Sequence, residues 1–332
     1  MSRILYIPNS HCQQRQLQKP NNLIYPVLMA MEATKRRNDG DEVYWDNGPY
    51  SLFEYHKLII KPEGLPFLSL PHPDRVWTNA KEPRYQRNGN FKYLPATYIQ
   101  SASGCWWGKC SFCVEKGKPY EVRPVEDVIS EIEEIKSQGY KEVFDDSATF
   151  PTGEWLERFC RKMGEKKPNI VLGCNARMFN YDFELMVFAG FRMLLFGLES
   201  ANQQSLDNIN KGVKVEDIKY IIKAAKAGLE PHICVVFGWK WETDADAINT
   251  LQLVHQLLKK GYAKTAQASF IHQQGIEGNE SQRHFIRDIY GIWKSPEFWF
   301  NKLRDVHNKD DLKYLWKQIK AGINDKCLHP GV

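Results

Sequence analysis

Three cysteines, Cys105, Cys110 and Cys113, lie close together in the segment GCWWGKCSFC at positions 104–113. Thiolates are the ligands of iron–sulfur clusters, and three of them on one loop can bind three irons of a [4Fe–4S] cubane. The fourth iron then stays open to an exogenous ligand, as an active metal site requires. Gly104 and Gly108 let such a loop fold tightly around an inorganic core. The spacing therefore predicts an iron–sulfur site with one open iron.

A structural zinc site is the alternative interpretation of the same three cysteines. Structural zinc takes a closed tetrahedral shell, so a fourth Cys or His should follow at short spacing. The next cysteine is Cys160 and the nearest downstream histidine is His232. The local spacing favours iron–sulfur, and zinc stays open as the alternative. The remaining cysteines are scattered and do not predict a second cluster.

Four polar residues lie at the ends of predicted strands downstream of the cysteine loop. Asp145 and Asp146 follow the second strand of the region, Arg177 follows the third and Glu199 ends the fourth. In parallel α/β folds chemistry gathers at the C-terminal ends of the strands, so these side chains are candidate site residues. Structural roles stay open: an acidic helix N-terminus for the aspartates and a surface salt bridge for Arg177.

Short apolar strands alternate with amphipathic helices from about residue 96. The strands are predicted at 96–102, 142–144, 169–172, 193–196, 233–237 and 263–270. Apolar residues at helical spacing lie between them, first in a helix that starts at Pro124 and ends at Gly139. Such alternation implies right-handed βαβ units and a parallel sheet. We predict an α/β fold with a partial (β/α)6 parallel barrel, and a flat doubly wound sheet is the alternative.

The segments on either side of this core are less regular. The sequence predicts a small α/β cap over residues 1–60. It predicts an extended linker over residues 61–95, because this segment is rich in Pro, Asn, Lys and Arg. The core is expected over residues 96–275. A helical, aromatic C-terminal extension is expected over residues 276–332.

Composition argues against several classes of partner. The chain has 332 residues, of which 42% are hydrophobic and 26% charged, as in ordinary globular proteins. No apolar run reaches the ~20 residues that span a bilayer, and the N-terminus lacks the features of a secretory signal. The net charge of +5 comes from dispersed Lys and Arg, so a nucleic-acid partner is not expected. We expect a cytoplasmic protein that does not bind membranes.

Several motifs resemble, in order, those of the radical S-adenosylmethionine (SAM) superfamily. The cysteine loop is similar to the Cys-x3-Cys-x2-Cys motif of that superfamily, with one more residue in the first gap. The segments YEVRPVEDVISEIEEI, FDDSATF, GCNAR, FGLES and NKG resemble the subfamily whose members often carry a cobalamin-binding domain. The stretch IYGIWKSPEFWFNKLRDVHNKDDL resembles the tail of that subfamily. The resemblance covers about residues 96–325.

The resemblance implies a [4Fe–4S] cluster on the three cysteines and a SAM molecule at the strand ends. Asp145 and Asp146 would contact the amino group of SAM, and Arg177 would hold the methionine carboxylate in a bidentate pair. Glu199 would accept hydrogen bonds from the ribose hydroxyls or the amino group. Phe112 would pack on the adenine, with ordinary core packing as the alternative. No catalytic side chain is assigned.

Two regions depart from the family pattern. After the fifth strand, a Gly-x-Pro-Gly-Glu-Thr turn is replaced by GWKWET at 238–243, in which Thr243 can still cap the next helix. Gln267 and His272, near the sixth strand, are candidate substrate contacts. The segment before residue 96 has no Asp-x-His-x-x-Gly motif and is short for a doubly wound domain. We expect a degenerate remnant of a cobalamin-binding domain and leave cobalamin binding open.

The implied function is reductive cleavage of SAM at the cluster, which makes a 5′-deoxyadenosyl radical that takes a hydrogen atom from a substrate. The subfamily favours methylation of an unactivated centre. A radical SAM oxidoreductase or cyclase without cobalamin is one alternative, and a non-catalytic zinc- or cluster-stabilised interaction protein is another. The implied partners are a small-molecule or peptide substrate and a reductant such as flavodoxin or ferredoxin.

Overall fold

The computed structural model describes residues 3–6, 26–45, 57–59, 62–86, 90–167, 169–270 and 306–317. The chain divides into two compact units, residues 1–103 with 120–173 and residues 104–119 with 174–332. No helix in the described ranges combines the length and the apolar content that crossing a membrane requires.

In the described ranges, the N-terminal segment forms a small parallel sheet and one helix. Strand β1 (Arg3–Tyr6) lies between β2 (Glu42–Trp45) and β3 (Lys57–Ile59), and both pairings are parallel. Helix α1 (Val27–Asn38) precedes β2 and buries its first two turns. The predicted small α/β cap over residues 1–60 stays a prediction.

In the part of the chain that the structure describes, the main sheet has six strands whose order in space follows their order in the chain, β11-β10-β9-β8-β7-β4. The strands are β4 (Ala96–Ile99), β7 (Glu142–Asp145), β8 (Val171–Ala176), β9 (Phe191–Glu199), β10 (Glu230–Phe237) and β11 (Thr265–Phe270). A doubly wound sheet reverses its strand order at a switch point, and this sheet does not. The predicted α/β class with the strand order of a partial (β/α)6 barrel is therefore confirmed.

A short antiparallel ribbon interrupts the first βα crossover. Strand β5 (Ala102–Ser103) pairs with β6 (Glu121–Val122), so the segment between them is a closed loop. The sequence predicts one strand over residues 96–102, whereas in the structure β4 ends at Ile99. The loop that the ribbon closes contains all three clustered cysteines.

The helices follow the predicted amphipathic pattern. In α3 (Val125–Ser137) the buried face carries Val128, Ile129, Ile132 and Ile135, and Gly139 follows with a positive φ of 83°. The other helices are α2 (Pro83–Gln86), α4 (Glu154–Lys166), α5 (Phe183–Phe188), α6 (Gln203–Asn208), α7 (Ile218–Lys226), α8 (Asp244–Lys259) and α9 (309–317). Helix α9 is the described part of the predicted helical C-terminal extension.

Residues 62–86, which the sequence assigns to a linker, are anchored in the first unit by a buried ion cluster. Arg75 and Arg123 both donate hydrogen bonds to the carboxylate of Glu131, which is fully buried. Burial opposes ionisation of Glu131, but the two guanidinium groups hold its pKa below the usual value. Removing either cation would leave a buried charge uncompensated, which is strongly destabilising. This part of the predicted linker is therefore packed rather than solvated.

Candidate functional site

The cysteine loop of the second unit depends on glycine for its conformation. Gly104 and Gly108 have positive φ angles of 73° and 58°, which glycine adopts without steric cost. At Gly108 a Cβ atom would lie 3.1 Å from the carbonyl oxygen of Cys105. The backbone N–H of Gly117 donates to the carbonyl of Gly108 at 3.1 Å and ties the two limbs of the loop together.

The three thiols of this loop interact electrostatically. Burial raises the pKa of Cys113, the N–H of Glu115 lowers it through a hydrogen bond to Sγ, and Cys110 and Cys105 raise it again by charge repulsion. Cys110 is buried, whereas Cys105 and Cys113 keep part of their exposure. In the described ranges no group of three or more His, Cys, Asp or Glu side chains is placed to share one metal ion. A cubane does not need such a group, since each thiolate binds a different iron.

The turn that follows α6 holds the cysteine loop from outside. The N–H of Ser111 donates to the carbonyl of Ile209 at 2.8 Å, and Trp107 Nε1 donates to the carbonyl of Asn210 at 2.9 Å. The indole of Trp107 occupies the space where Gly212 lacks a side chain, because a Cβ there would lie only 2.0 Å from Cζ2. Packing against a distant turn therefore positions the loop.

Arg177, which follows β8, is directed at the cysteine loop. Its side chain is buried, its Nη1 lies 4.0 Å from Cys110 Sγ in donor geometry, and its Nη2 donates to the carbonyl of Lys211. The guanidinium carbon lies 5.2 Å from the ring centre of Trp106 and 4.9 Å from that of Trp107. No carboxylate of the described residues forms a salt bridge with it, so its charge faces the thiols uncompensated.

Glu199 ends β9 in a buried ion pair with Lys211, at 2.6 Å between Oε1 and Nζ. Its φ of 62° is unusual for a residue with a side chain. The pairing of β9 with β10 shifts at this point, since Cys234 pairs with Gly197 but Val235 pairs with Glu199. Such irregularities redirect side chains next to sites. A Cβ at Gly197 would lie 2.5 Å from Oε1 of Glu199 and 2.8 Å from Nζ of Lys211, so glycine makes room for the pair.

Phe112 belongs to an aromatic group at the end of β10. Its ring packs edge-on against Trp239 with centroids 5.4 Å apart, and Trp239 stacks on Trp241 at 5.7 Å. Trp241 Nε1 donates to Ser205 Oγ at 3.1 Å. The side chain of Phe112 is partly exposed.

The turn that departs from the family pattern still starts helix α8 as predicted. Thr243 is the N-cap, and its hydroxyl accepts from the N–H of Asp246, which confirms the predicted cap. The N–H of Gly238 donates to Glu242 Oε2 at 2.7 Å. Burial raises the pKa of Glu242 to about 7, although this bond opposes the shift.

Asp145 and Asp146 lie in the first unit at the end of β7. The carboxylate of Asp145 is buried and accepts from the N–H groups of Ser101 at 3.0 Å and Ser147 at 2.9 Å. Asp146 is partly exposed, and burial together with the charge of Asp145 raises its pKa to about 7. Asp145 therefore organises the strand end, and Asp146 is the more accessible carboxyl. Their predicted contact with the SAM amino group stays a prediction.

The predicted substrate contacts near the sixth strand are only partly described. Gln267 pairs in register with Cys234, and both side chains are partly exposed. Burial raises the pKa of the Cys234 thiol well above its usual value, and a hydrogen bond with Gln267 opposes this shift. His272 lies outside the described residues.

The sheet is a parallel α/β sheet, and a closed loop with three thiols lies in its first crossover. Residues 99–254 match the model of the radical SAM superfamily. No curated protein matches the sequence.

Solved structures of radical SAM enzymes are similar to parts of this chain. The methyltransferase TsrM from Kitasatospora setae, with tryptophan and a SAM analogue bound, is 19% identical with a TM-score of 0.50, over 64% of this chain and 40% of that one. The cobalamin-dependent enzyme OxsB, with aqua-cobalamin and SAM bound, is 14% identical with a TM-score of 0.48, over 92% and 45%. Coproporphyrinogen III oxidase (HemN) from Escherichia coli is 12% identical with a TM-score of 0.42, over 71% and 54%. The chain therefore spans 40–54% of the length of these proteins.

A radical SAM domain implies a [4Fe–4S] cluster and SAM, and the residues present fit the cluster. Cys105, Cys110 and Cys113 supply three thiolates on one loop. Arg177 supplies a buried positive charge that no described carboxylate neutralises. Trp106 Nε1 is buried and has no hydrogen-bond acceptor among the described residues, although buried donors are nearly always partnered. The Arg177 guanidinium and the Trp106 indole N–H could both donate hydrogen bonds to an anionic group beside the loop.

Sequence reasoning missed two parts of this site. It assigned no role to Lys211, which pairs with Glu199 and whose carbonyl accepts from Arg177. It also missed that Trp106 and Trp107 enclose the Arg177 guanidinium. The NKG motif at 210–212 was a usable signal, because a motif between helices that contains glycine often marks a close backbone approach.

Proposed function

We propose that this chain is a radical SAM enzyme whose cluster is held by Cys105, Cys110 and Cys113. The observation that carries the proposal is the closed three-thiol loop beside the buried, uncompensated charge of Arg177. When bound, the cluster and SAM supply the radical chemistry: one electron cleaves the sulfonium to methionine and a 5′-deoxyadenosyl radical, which takes a hydrogen atom from the substrate.

The side chains of the second unit would then bind and orient SAM. Arg177 uses one N–H for Cys110 and one for the carbonyl of Lys211, and a guanidinium has five. The remaining donors would hold the methionine carboxylate. Glu199 gives Oε1 to Lys211, and its other oxygen would accept from the ribose hydroxyls. Phe112, supported by Trp239, would contact the adenine.

For the reaction outcome we propose methylation of an unactivated centre, on the basis of the ordered motifs shared with the cobalamin-associated subfamily. An oxidation or cyclisation without cobalamin is the second candidate. The small N-terminal sheet, with three strands in the described part, favours it, because this sheet is short for a complete cobalamin-binding domain. Cobalamin binding, followed by its absorbance after gel filtration of reconstituted protein, separates the two.

The cluster assignment is tested by anaerobic reconstitution and analysis for iron, sulfide and zinc. We expect ~4 iron and ~4 sulfide per chain, since a cubane contains four of each. Cys110→Ala should lose most of this iron. Cys160→Ala is the matched control, because Cys160 is buried in α4 and the variant has the same number of thiols. Stoichiometric zinc with little sulfide would instead support a zinc-stabilised interaction protein.

Catalysis is tested by adding a chemical reductant to the cluster-loaded protein in the presence of SAM. The product that is quantified is 5′-deoxyadenosine. The wild-type protein and Cys160→Ala should form it, and Cys110→Ala should not. A protein that carries the full cluster but forms no 5′-deoxyadenosine would be a non-catalytic, cluster-stabilised module, and the proposed function would be rejected.

A further inference from the structure

The side chain of Arg177 is a buried cation aimed at a cluster ligand. We propose that Arg177 tunes the reduction potential of the cluster by donating a charge-assisted hydrogen bond from Nη1 to the Sγ of Cys110. The inference rests on the proposed function, because it requires a cluster on the three cysteines. It assigns Arg177 an electronic role that is separate from any contact with SAM.

The charges around Cys110 support this role. Two cations act on its thiol, Lys211 and Arg177. Lys211 is neutralised by Glu199 at 2.6 Å. Arg177 forms no salt bridge with a carboxylate of the described residues, so its charge is available to the sulfur. A buried cation in a low dielectric acts more strongly than a solvated one.

The surroundings of Arg177 fix the direction of this bond. The guanidinium carbon lies over the rings of Trp106 and Trp107, at 5.2 Å and 4.9 Å from their centres. Its Nη2 donates to the carbonyl of Lys211. Its backbone N–H donates to the hydroxyl of Tyr181 at 3.2 Å. These contacts keep Nη1 on the side of Cys110.

The sign of the effect follows from charge. Reduction adds one negative charge to the cluster, and hydrogen bonds to cluster sulfurs are among the factors that set its potential. A positive donor at Cys110 stabilises the reduced state more than the oxidised state. Arg177 therefore makes the cluster easier to reduce.

The test is a redox titration of the cluster followed by electron paramagnetic resonance, on the full chain without SAM. Leaving SAM out removes any effect of a lost carboxylate contact. The variants are Arg177→Gln, which removes the charge, and Arg177→Lys, which keeps the charge but loses the planar fork. The control is Arg161→Gln, which removes the same charge from an exposed position in α4.

We expect Arg177→Gln to lower the equilibrium constant for reduction about tenfold, which is ~59 mV for a one-electron couple. Arg177→Lys should shift the potential in the same direction by less, and Arg161→Gln should not shift it. A fully loaded Arg177→Gln protein with the wild-type potential would overturn the inference. If that variant assembles no cluster, the lysine variant decides, and an unchanged potential there overturns the inference equally.

The remaining outcomes are also distinct. If neither Arg177 variant takes up iron while the control does, Arg177 serves assembly and the tuning role is rejected. If the wild-type protein itself takes up no iron and sulfide, it is the proposed function that fails. An unchanged potential in a loaded variant leaves the proposed function intact.

Discussion

Replacing Gly212 with alanine should disrupt the packing that holds the cysteine loop. The φ of Gly212 is 67°, and a left-handed conformation costs a residue with a Cβ about 1–2 kcal/mol. The new Cβ would also lie 2.0 Å from Cζ2 and 2.3 Å from Cη2 of Trp107. Forcing extra atoms into a packed site costs about 1–3 kcal/mol. We expect Gly212→Ala to lower the free energy of unfolding by about 2–5 kcal/mol.

Gly261→Ala is the matched control for the cost of placing a residue with a Cβ in a left-handed backbone conformation. Gly261 has a φ of 73°, and no atom lies within 4 Å of the position that its Cβ would take. This variant should cost only the left-handed conformation, about 1–2 kcal/mol. Chemical denaturation of the protein without cluster gives both values from the shift in midpoint at constant slope. The difference between the two variants measures the clash with Trp107.

A double-mutant cycle assigns that difference to one ring. In a Trp107→Ala background the clash is absent, so Gly212→Ala should cost no more than Gly261→Ala does. Cluster loading should follow the same order, with Gly212→Ala losing iron and Gly261→Ala retaining it. If Gly212→Ala and Gly261→Ala are equally destabilised in the wild-type background, Trp107 does not hold the loop in the way the structure indicates.

Two further predictions concern buried charges. Lys211→Met leaves the Glu199 carboxylate buried without its partner, which should lower the free energy of unfolding by about 3–5 kcal/mol in chemical denaturation. Adding Glu199→Gln should recover more than half of this loss. If nothing is recovered, the loss of the ion pair is not the cause. The pKa of Asp146 is raised from 3.8 to about 7, so the folded state binds more protons than the unfolded state in this window and stability falls as the pH rises through it. Asp146→Asn removes this loss, so its stability relative to wild type should improve by about 3–4 kcal/mol between pH 4 and pH 8, since one pKa unit corresponds to ~1.4 kcal/mol. A difference that is independent of pH would contradict the raised pKa.

The local parts of the fold and site follow from the sequence because their causes are local. Apolar periodicity predicted α3, and Gly139 ends it. Thr243 caps α8 through the Asp246 N–H, which lies three residues away. The close spacing of the cysteines predicted one loop, and the short ribbon that closes it lies immediately beside them in the chain. Strands were predicted near their observed places but with different ends: β9 extends to Glu199, whereas β4 ends at Ile99.

The non-local parts of the site could not be predicted in this way. The pairing of Glu199 with Lys211 depends on the register shift between β9 and β10 and on the missing side chain of Gly197. The position of Arg177 after β8 was predicted, but its neighbours were not. Its contact with Cys110 joins residues that are 67 positions apart, and no periodic pattern encodes such a contact.

The attachment of the thiol loop to the turn at residues 209–212 bears on how transferable the motif is. Ser111 and Trp107 use backbone carbonyls about a hundred positions away to hold the loop. A synthetic peptide with residues 104–119 would have the three sulfurs but not these carbonyls. The peptide would have to lose conformational entropy when it binds the metal, whereas in the protein that entropy is lost during folding. Grafting the motif into another scaffold therefore requires a receiving turn with a glycine to accept the indole.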